Sequence, residues 1–138
     1  MDRSARQRSE GNLRLATAES VHQALSQSVN SGDIDGIVSL YEEGASLTRR
    51  DGQKLMGHDA IRAHFTSLLE VKPTITIQPP RLITDGGLSV LVAKWQLSGT
   101  TKNGETINEQ GCTYDVVREQ ADGTWRLVFD NPWGGSAG

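Results

Sequence analysis

The chain has 138 residues, 36% apolar and 22% charged, which describes a single folded domain rather than a disordered or fibrous chain. Its formal charge of −3, with the Lys and Arg residues scattered, removes the general attraction on which nucleic-acid binders rely, and no apolar run is long enough to cross a bilayer. The single cysteine, Cys112, excludes an internal disulfide and a cysteine-rich zinc site, and makes a reduced, cytoplasmic setting the default expectation.

Residues 1–12, MDRSARQRSEGN, carry several charges and almost nothing to bury. They read as a disordered N-terminal arm that lacks the apolar core of a secretory signal. From residue 13 the pattern becomes helical: Leu15, Ala18, Val21, Leu25 and Val29 recur at three- and four-residue spacing and make one apolar face. Gly32 stops that helix, and Asp33 is placed to cap a second, IDGIVSLYEE, with Ile34, Ile37, Val38 and Tyr41 on one side. A short extended piece, ASLTRR, turns at Asp51-Gly52 into QKLM. A third helix follows in GHDAIRAHFTSLLEVK, with Ile61, Phe65, Leu68 and Leu69 as its stripe, and Pro73 ends it.

Beyond Pro73 the period changes from 3.6 to 2. TITIQ, LSVLVAKWQLSG, GCTYDVVRE and TWRLVFDN alternate or run apolar, separated by TDGG, TKNG and ADG, whose glycines favour hairpin turns. Pro79-Pro80 cannot donate ladder hydrogen bonds, so a bulge or edge break belongs there. Helices first and an antiparallel meander afterwards predict an α+β fold: three N-terminal helices wrapped by a strongly curved, mostly antiparallel sheet, as a cone-shaped barrel. Such a layering leaves a tapering cavity between helices and sheet, and that is where function is expected.

Nucleophilic chemistry finds little support. Cys112 sits within a strand, where it reads as a small buried hydrophobe, and the serines show no elbow motif. His22, His58 and His64 do not share a helix face at ligand spacing, so no metal is expected, and no cofactor fingerprint is present. Strict alternation along the last strand puts Leu127, Phe129 and Asn131 inward, continued by Trp133, and turns Asp130 outward. On the neighbouring strand the inward set is Cys112, Tyr114 and Val116, which turns Asp115 outward as well. Trp95, Tyr41 and Phe65 complete an aromatic-walled pocket, with His64 the one acid–base candidate near it. Asn131 needs a partner, since a buried amide without one costs about 1–3 kcal/mol.

SGDIDGIVSLYEEGASL, GHDAIRAHF and DGTWRLVFDNPWG, in that order, resemble the nuclear-transport-factor-2-like superfamily of SnoaL-like cyclases and ketosteroid isomerases. The resemblance spans residues 13–134, which it implies form one SnoaL-like barrel domain, with residues 135–138 as a flexible tail. Ketosteroid isomerases of that superfamily use a helix tyrosine, an aspartate base and a protonated aspartic acid. The matching positions here are Leu25, Arg49 and Cys112, so that mechanism is not expected. The resemblance leaves three readings open. The first is a small-molecule-binding domain for an apolar or aromatic ligand, homodimeric through the sheet's outer face. The second is an isomerase, cyclase or hydratase on a polyketide- or terpenoid-like substrate, with His64 as the acid–base group. The third is a protein-interaction or assembly domain.

Overall fold

In a computed structural model describing residues 15–135, the first apolar stripe forms α1, Ser20–Asn30. The expected arm and residues 136–138 of the expected tail lie outside the described residues. Val21, Leu25 and Val29 of α1 are buried, each worth about 1.5–3 kcal/mol of removed apolar surface. Gly32 takes φ 71°, and the Asp33 N–H returns to the Ser28 carbonyl at 2.9 Å, closing the helix end. Asp33 then caps α2, Ile34–Val38, by accepting the Gly36 N–H at 2.9 Å.

Here the structure departs from the sequence reading. The second helix lasts five residues, and Tyr41 opens a strand, β1, Tyr41–Thr48. Strand pairing wins over helical periodicity because β1 finds a parallel partner in β7, Trp125–Asp130, beginning with the Leu127 N–H on the Leu40 carbonyl at 2.7 Å. A tight turn at Arg49–Gln53, with Gly52 at φ 88°, leads into β2, Lys54–Met56. Next comes α3, Gly57–Leu69, which buries Ile61 and Phe65.

The remaining strands are β3, Thr74–Ile77, β4, Arg81–Asp85, β5, Leu88–Thr100, and β6, Thr106–Glu119. Both β3 and β4 pair antiparallel with β5, on either side of the Pro79-Pro80 interruption. Sequence reading left β4 unmarked; all five of its residues are exposed, so it has no buried face to betray it. The sheet runs β2-β1-β7-β6-β5-β3 and is open: β2 and β3 end it without pairing to each other. Every pairing is antiparallel except β1 with β7. The helices cover one face, α1 against β3 and β7, α3 against β1 and β2. No helix among the described residues is long and apolar enough to cross a membrane.

One irregularity decides which side chains enter the space between the layers. Val117 pairs with Leu127, but Val116 pairs with Phe129, so β7 carries one extra residue, Val128, opposite a regular β6. A bulge of this kind resets the alternation beyond it. Leu127 is fully buried, Phe129 is 55% exposed, and Asp130 turns back inside at 5%.

Candidate active site

Between α1, α3 and the concave face of the sheet lies a chamber of about 160 Å³. Its wall is apolar: Leu25 and Val29 from α1, Phe65 and Leu68 from α3, Trp95 and Leu97 from β5. A dry cavity of roughly this size takes a single six-membered ring. Its polar groups are few and specific: Thr113, Asp115 and Asp130 from the sheet, with His64 and Glu109 also lining it.

The two aspartates correct the parity argument. Asp115 is 2% exposed and faces in with Thr113 and Val117, because β6 is registered on β5 so that Asp115 pairs with buried Leu91 and Thr113 with buried Ala93. Cross-strand partners share a face. Tyr114 therefore faces out, 46% exposed, and Cys112 lies half-buried on that same outer side. Phe129 faces out too, because of the bulge at Val128. The chamber wall thus excludes Cys112, Tyr114 and Phe129.

Around Asp115 the hydrogen bonds are dense. Its Oδ1 accepts the Thr113 hydroxyl at 2.6 Å and the Asn131 backbone N–H at 2.9 Å. Its Oδ2 meets His22 Nε2 at 2.6 Å, with both side chains at most 3% exposed. Asn131 matters through its backbone; the residue is only half-buried, and its side-chain amide lies beside Gly134. His22 Nδ1 is buried with no hydrogen-bond partner.

Asp130 is the second carboxyl. The Tyr41 hydroxyl donates to its Oδ2, and Asp115 lines the same chamber. Burial first, and the Asp115 charge second, push the Asp130 carboxyl well above the usual carboxylate range, while the Tyr41 bond opposes them. Burial, then the Asp130 carboxyl, push the Tyr41 hydroxyl up as well, so it stays a donor. Asp130 is therefore a carboxyl biased toward its protonated form, in an apolar chamber, beside the buried Asp115.

Of the other expected pocket residues, Phe65 and Trp95 line the chamber. Tyr41 is buried and packs on Phe65, with centroids 6.1 Å apart, but its hydroxyl is committed to Asp130. Trp95 donates Nε1–H to the Pro132 carbonyl at 2.7 Å, and Trp133 packs edge-on against it at 4.9 Å, outside the chamber wall. His64 packs on Phe65 at 5.1 Å, and burial, then the Arg49 charge, lower its pKa. Leu25, Arg49 and Cys112, the positions expected by sequence count for a ketosteroid isomerase's groups, fall on the wall, in an adjoining groove and on the outer face respectively. Among the described residues no group of three or more His, Cys, Asp or Glu is placed to hold a metal ion.

Sequence reasoning missed His22, Thr113, Asp115 and Asp130. A signal existed: His22 continues the apolar stripe of Ala18, Leu25 and Val29, and each aspartate interrupts an otherwise apolar strand end, YDVV and VFDN.

The fold has structural counterparts. A nuclear transport factor 2-like superfamily protein of Salmonella enterica superposes with a TM-score of 0.74 at 20% identity, over 82% of this chain and 84% of its own. A ketosteroid isomerase-like protein of Erwinia carotovora gives 0.72 at 18%, over 87% and 95%. A candidate dehydratase of the nuclear transport factor 2-like family from Streptomyces avermitilis gives 0.70 at 11%, over 80% and 88%. These likenesses show the fold. No curated protein sequence matches this one significantly. The SnoaL-like domain model matches residues 22–128, from the histidine that meets Asp115 to the bulge that turns Asp130 inward, and the chain belongs to that SnoaL-like family.

Proposed function

We propose that this domain binds a small, mostly apolar, oxygen-bearing molecule in the chamber and catalyses proton transfer on it, as an isomerase, cyclase or dehydratase does. The observation that carries this reading is the pair of buried carboxyls, Asp130 and Asp115, opening onto an apolar cavity, with burial and the Asp115 charge raising the Asp130 pKa. Asp130 is the proton donor to a substrate oxygen, carbonyl or leaving hydroxyl. Asp115, already accepting from Thr113 and Asn131, keeps that proton on Asp130 by its charge. His64 is the base: it lines the same chamber, and its lowered pKa leaves the imidazole neutral and able to accept a proton. In a dehydration His64 takes a C–H proton while Asp130 protonates the departing hydroxyl, and water leaves.

Incubation with one-ring β-hydroxy ketones, followed by mass spectrometry for loss of water or by NMR for proton exchange, tests it. Asp130→Asn and His64→Gln should each lower turnover about 10²-fold or more while ligand-induced thermal stabilisation persists. Full turnover by Asp130→Asn would remove the acid, and full turnover by His64→Gln the base.

We further propose a homodimer through the outer sheet face. Tyr114, paired across to Val92, and Phe129, paired with Val116, expose adjoining apolar surface there. Light scattering should return twice the 15.0 kDa chain mass, and Phe129→Arg should halve it. A wild-type mass of one chain refutes the dimer.

A further inference from the structure

An open groove adjoins the chamber: His64 and Glu109 line both, and the groove continues over Arg49, Arg50 and Trp133. The two arginines are consecutive on the turn between β1 and β2, which is fixed by the Arg49 N–H on the Gln53 carbonyl at 2.8 Å and the Gly52 N–H on the Arg49 carbonyl at 2.9 Å. The Arg50 guanidinium lies 4.6 Å from the centroid of Trp133, and Trp133 packs on Trp95, which is chamber wall. One aromatic ledge therefore runs from the cavity to the cation. Stacking uses the face of the guanidinium and leaves its in-plane N–H groups to bind something else.

Nothing described in the protein takes them. Arg62 and Arg118 are paired, with Asp35 and Glu42, whereas neither Arg49 nor Arg50 makes an ion pair among the described residues. Of the acids in the groove, Asp51 is engaged by its own turn, accepting the Gln53 N–H at 2.9 Å. Glu109 is the opposing charge that remains.

We propose that the substrate is a carboxylate: its apolar, ring-sized body enters the chamber, and its carboxylate stays in the groove on Arg49 and Arg50. Planar guanidinium forks match a carboxylate in two parallel hydrogen bonds, which an alcohol or ester cannot supply. This inference rests on the chamber being the substrate site.

Calorimetric titration of the full chain with benzoate and phenylacetate, against benzamide and phenylacetamide, tests it. The carboxylates should bind about tenfold tighter than their amides, and added salt should narrow that gap. Arg49→Gln and Arg50→Gln should each weaken the carboxylates about fivefold or more and leave the amides within about twofold, while Glu109→Gln should tighten the carboxylates. All three residues are exposed, so the variants should fold, which a melting curve verifies. Amides that bind as well as carboxylates, or arginine variants that weaken both alike, overturn the carboxylate site and leave the chamber standing. Failure of both sets to bind overturns the chamber reading and the carboxylate site together.

Discussion

Replacing Asp130 by Asn tests the acid pair without any substrate. In the folded chain, burial and the Asp115 charge keep the Asp130 carboxyl protonated well above its ordinary range. In the unfolded chain it ionises near pH 3.9, about the value of a free aspartate. Between those two points the folded protein carries a proton that the unfolded protein has released. Raising the pH therefore favours unfolding, and each unit in that window removes about 1.4 kcal/mol of stability. Below the window both states are protonated and the contribution is constant; above it the folded carboxyl also ionises and the loss levels off. Asparagine keeps the shape, and its carbonyl can accept the Tyr41 hydroxyl, but it carries no such proton. Urea titrations of both proteins from about pH 4.5 upward, taken as a difference, cancel the groups they share. Within that window Asp130→Asn should gain on wild type by about 1.4 kcal/mol per pH unit. A difference that stays flat with pH shows a carboxyl that ionises alike in both states, and the proton-donor role falls with it.

Other changes test neighbouring parts of the same argument. His22→Leu strips Asp115 of a buried partner at 2.6 Å and should cost about 3–5 kcal/mol in urea unfolding; a loss below about 1 kcal/mol would mean the pair is not buried as described. Tyr41→Phe removes the one hydrogen bond that lowers the Asp130 pKa, so it should extend the window of pH-dependent stability upward, besides costing about 1–3 kcal/mol. Gly99→Ala would bring a Cβ within 2.8 Å of the Val71 carbonyl oxygen, and forcing β5 away from the end of α3 should cost about 1–3 kcal/mol, read as a lowered melting temperature.

The elements with one buried face were legible. The stripe of α1 and that of α3 follow from spacing alone, and the glycine-bearing turns located the hairpins of β5, β6 and β7, with Gly104 and Gly123 at φ 81° and 85°. What the sequence hid was non-local. Tyr41 continues a helical pattern, yet β7 supplies a partner 86 residues away, at Leu127, that local periodicity does not register. The site was lost for a related reason. Counting inward from Leu127 by twos is sound only on a regular strand, and Val128 breaks the count; the same assumption, carried across to β6, exchanged Tyr114 for Asp115. Size misled as well, because Tyr114 and Phe129 are the larger apolar side chains and a core is ordinarily assigned to them.

That exchange bears on how function is read in this fold. Counting along the sequence puts the expected positions of a ketosteroid isomerase's tyrosine and two aspartates at Leu25, Arg49 and Cys112, and a comparison by sequence count finds no such chemistry. Comparison by environment finds a tyrosine donor and a buried aspartic acid with a raised pKa together, as Tyr41 on β1 and Asp130 on β7. The physical requirement is that a carboxyl be desolvated, placed near a fixed negative charge and given a donor that survives burial. Any strand lining the chamber can supply such a carboxyl once its phase is set. Here the phase is set by one inserted residue, which turns the ring of Phe129 outward and delivers the acid of Asp130 to the cavity. Candidate acid groups in such a scaffold are therefore found by asking which acids the register buries, and Leu25 and Arg49 become what their surroundings make of them, a wall and a mouth.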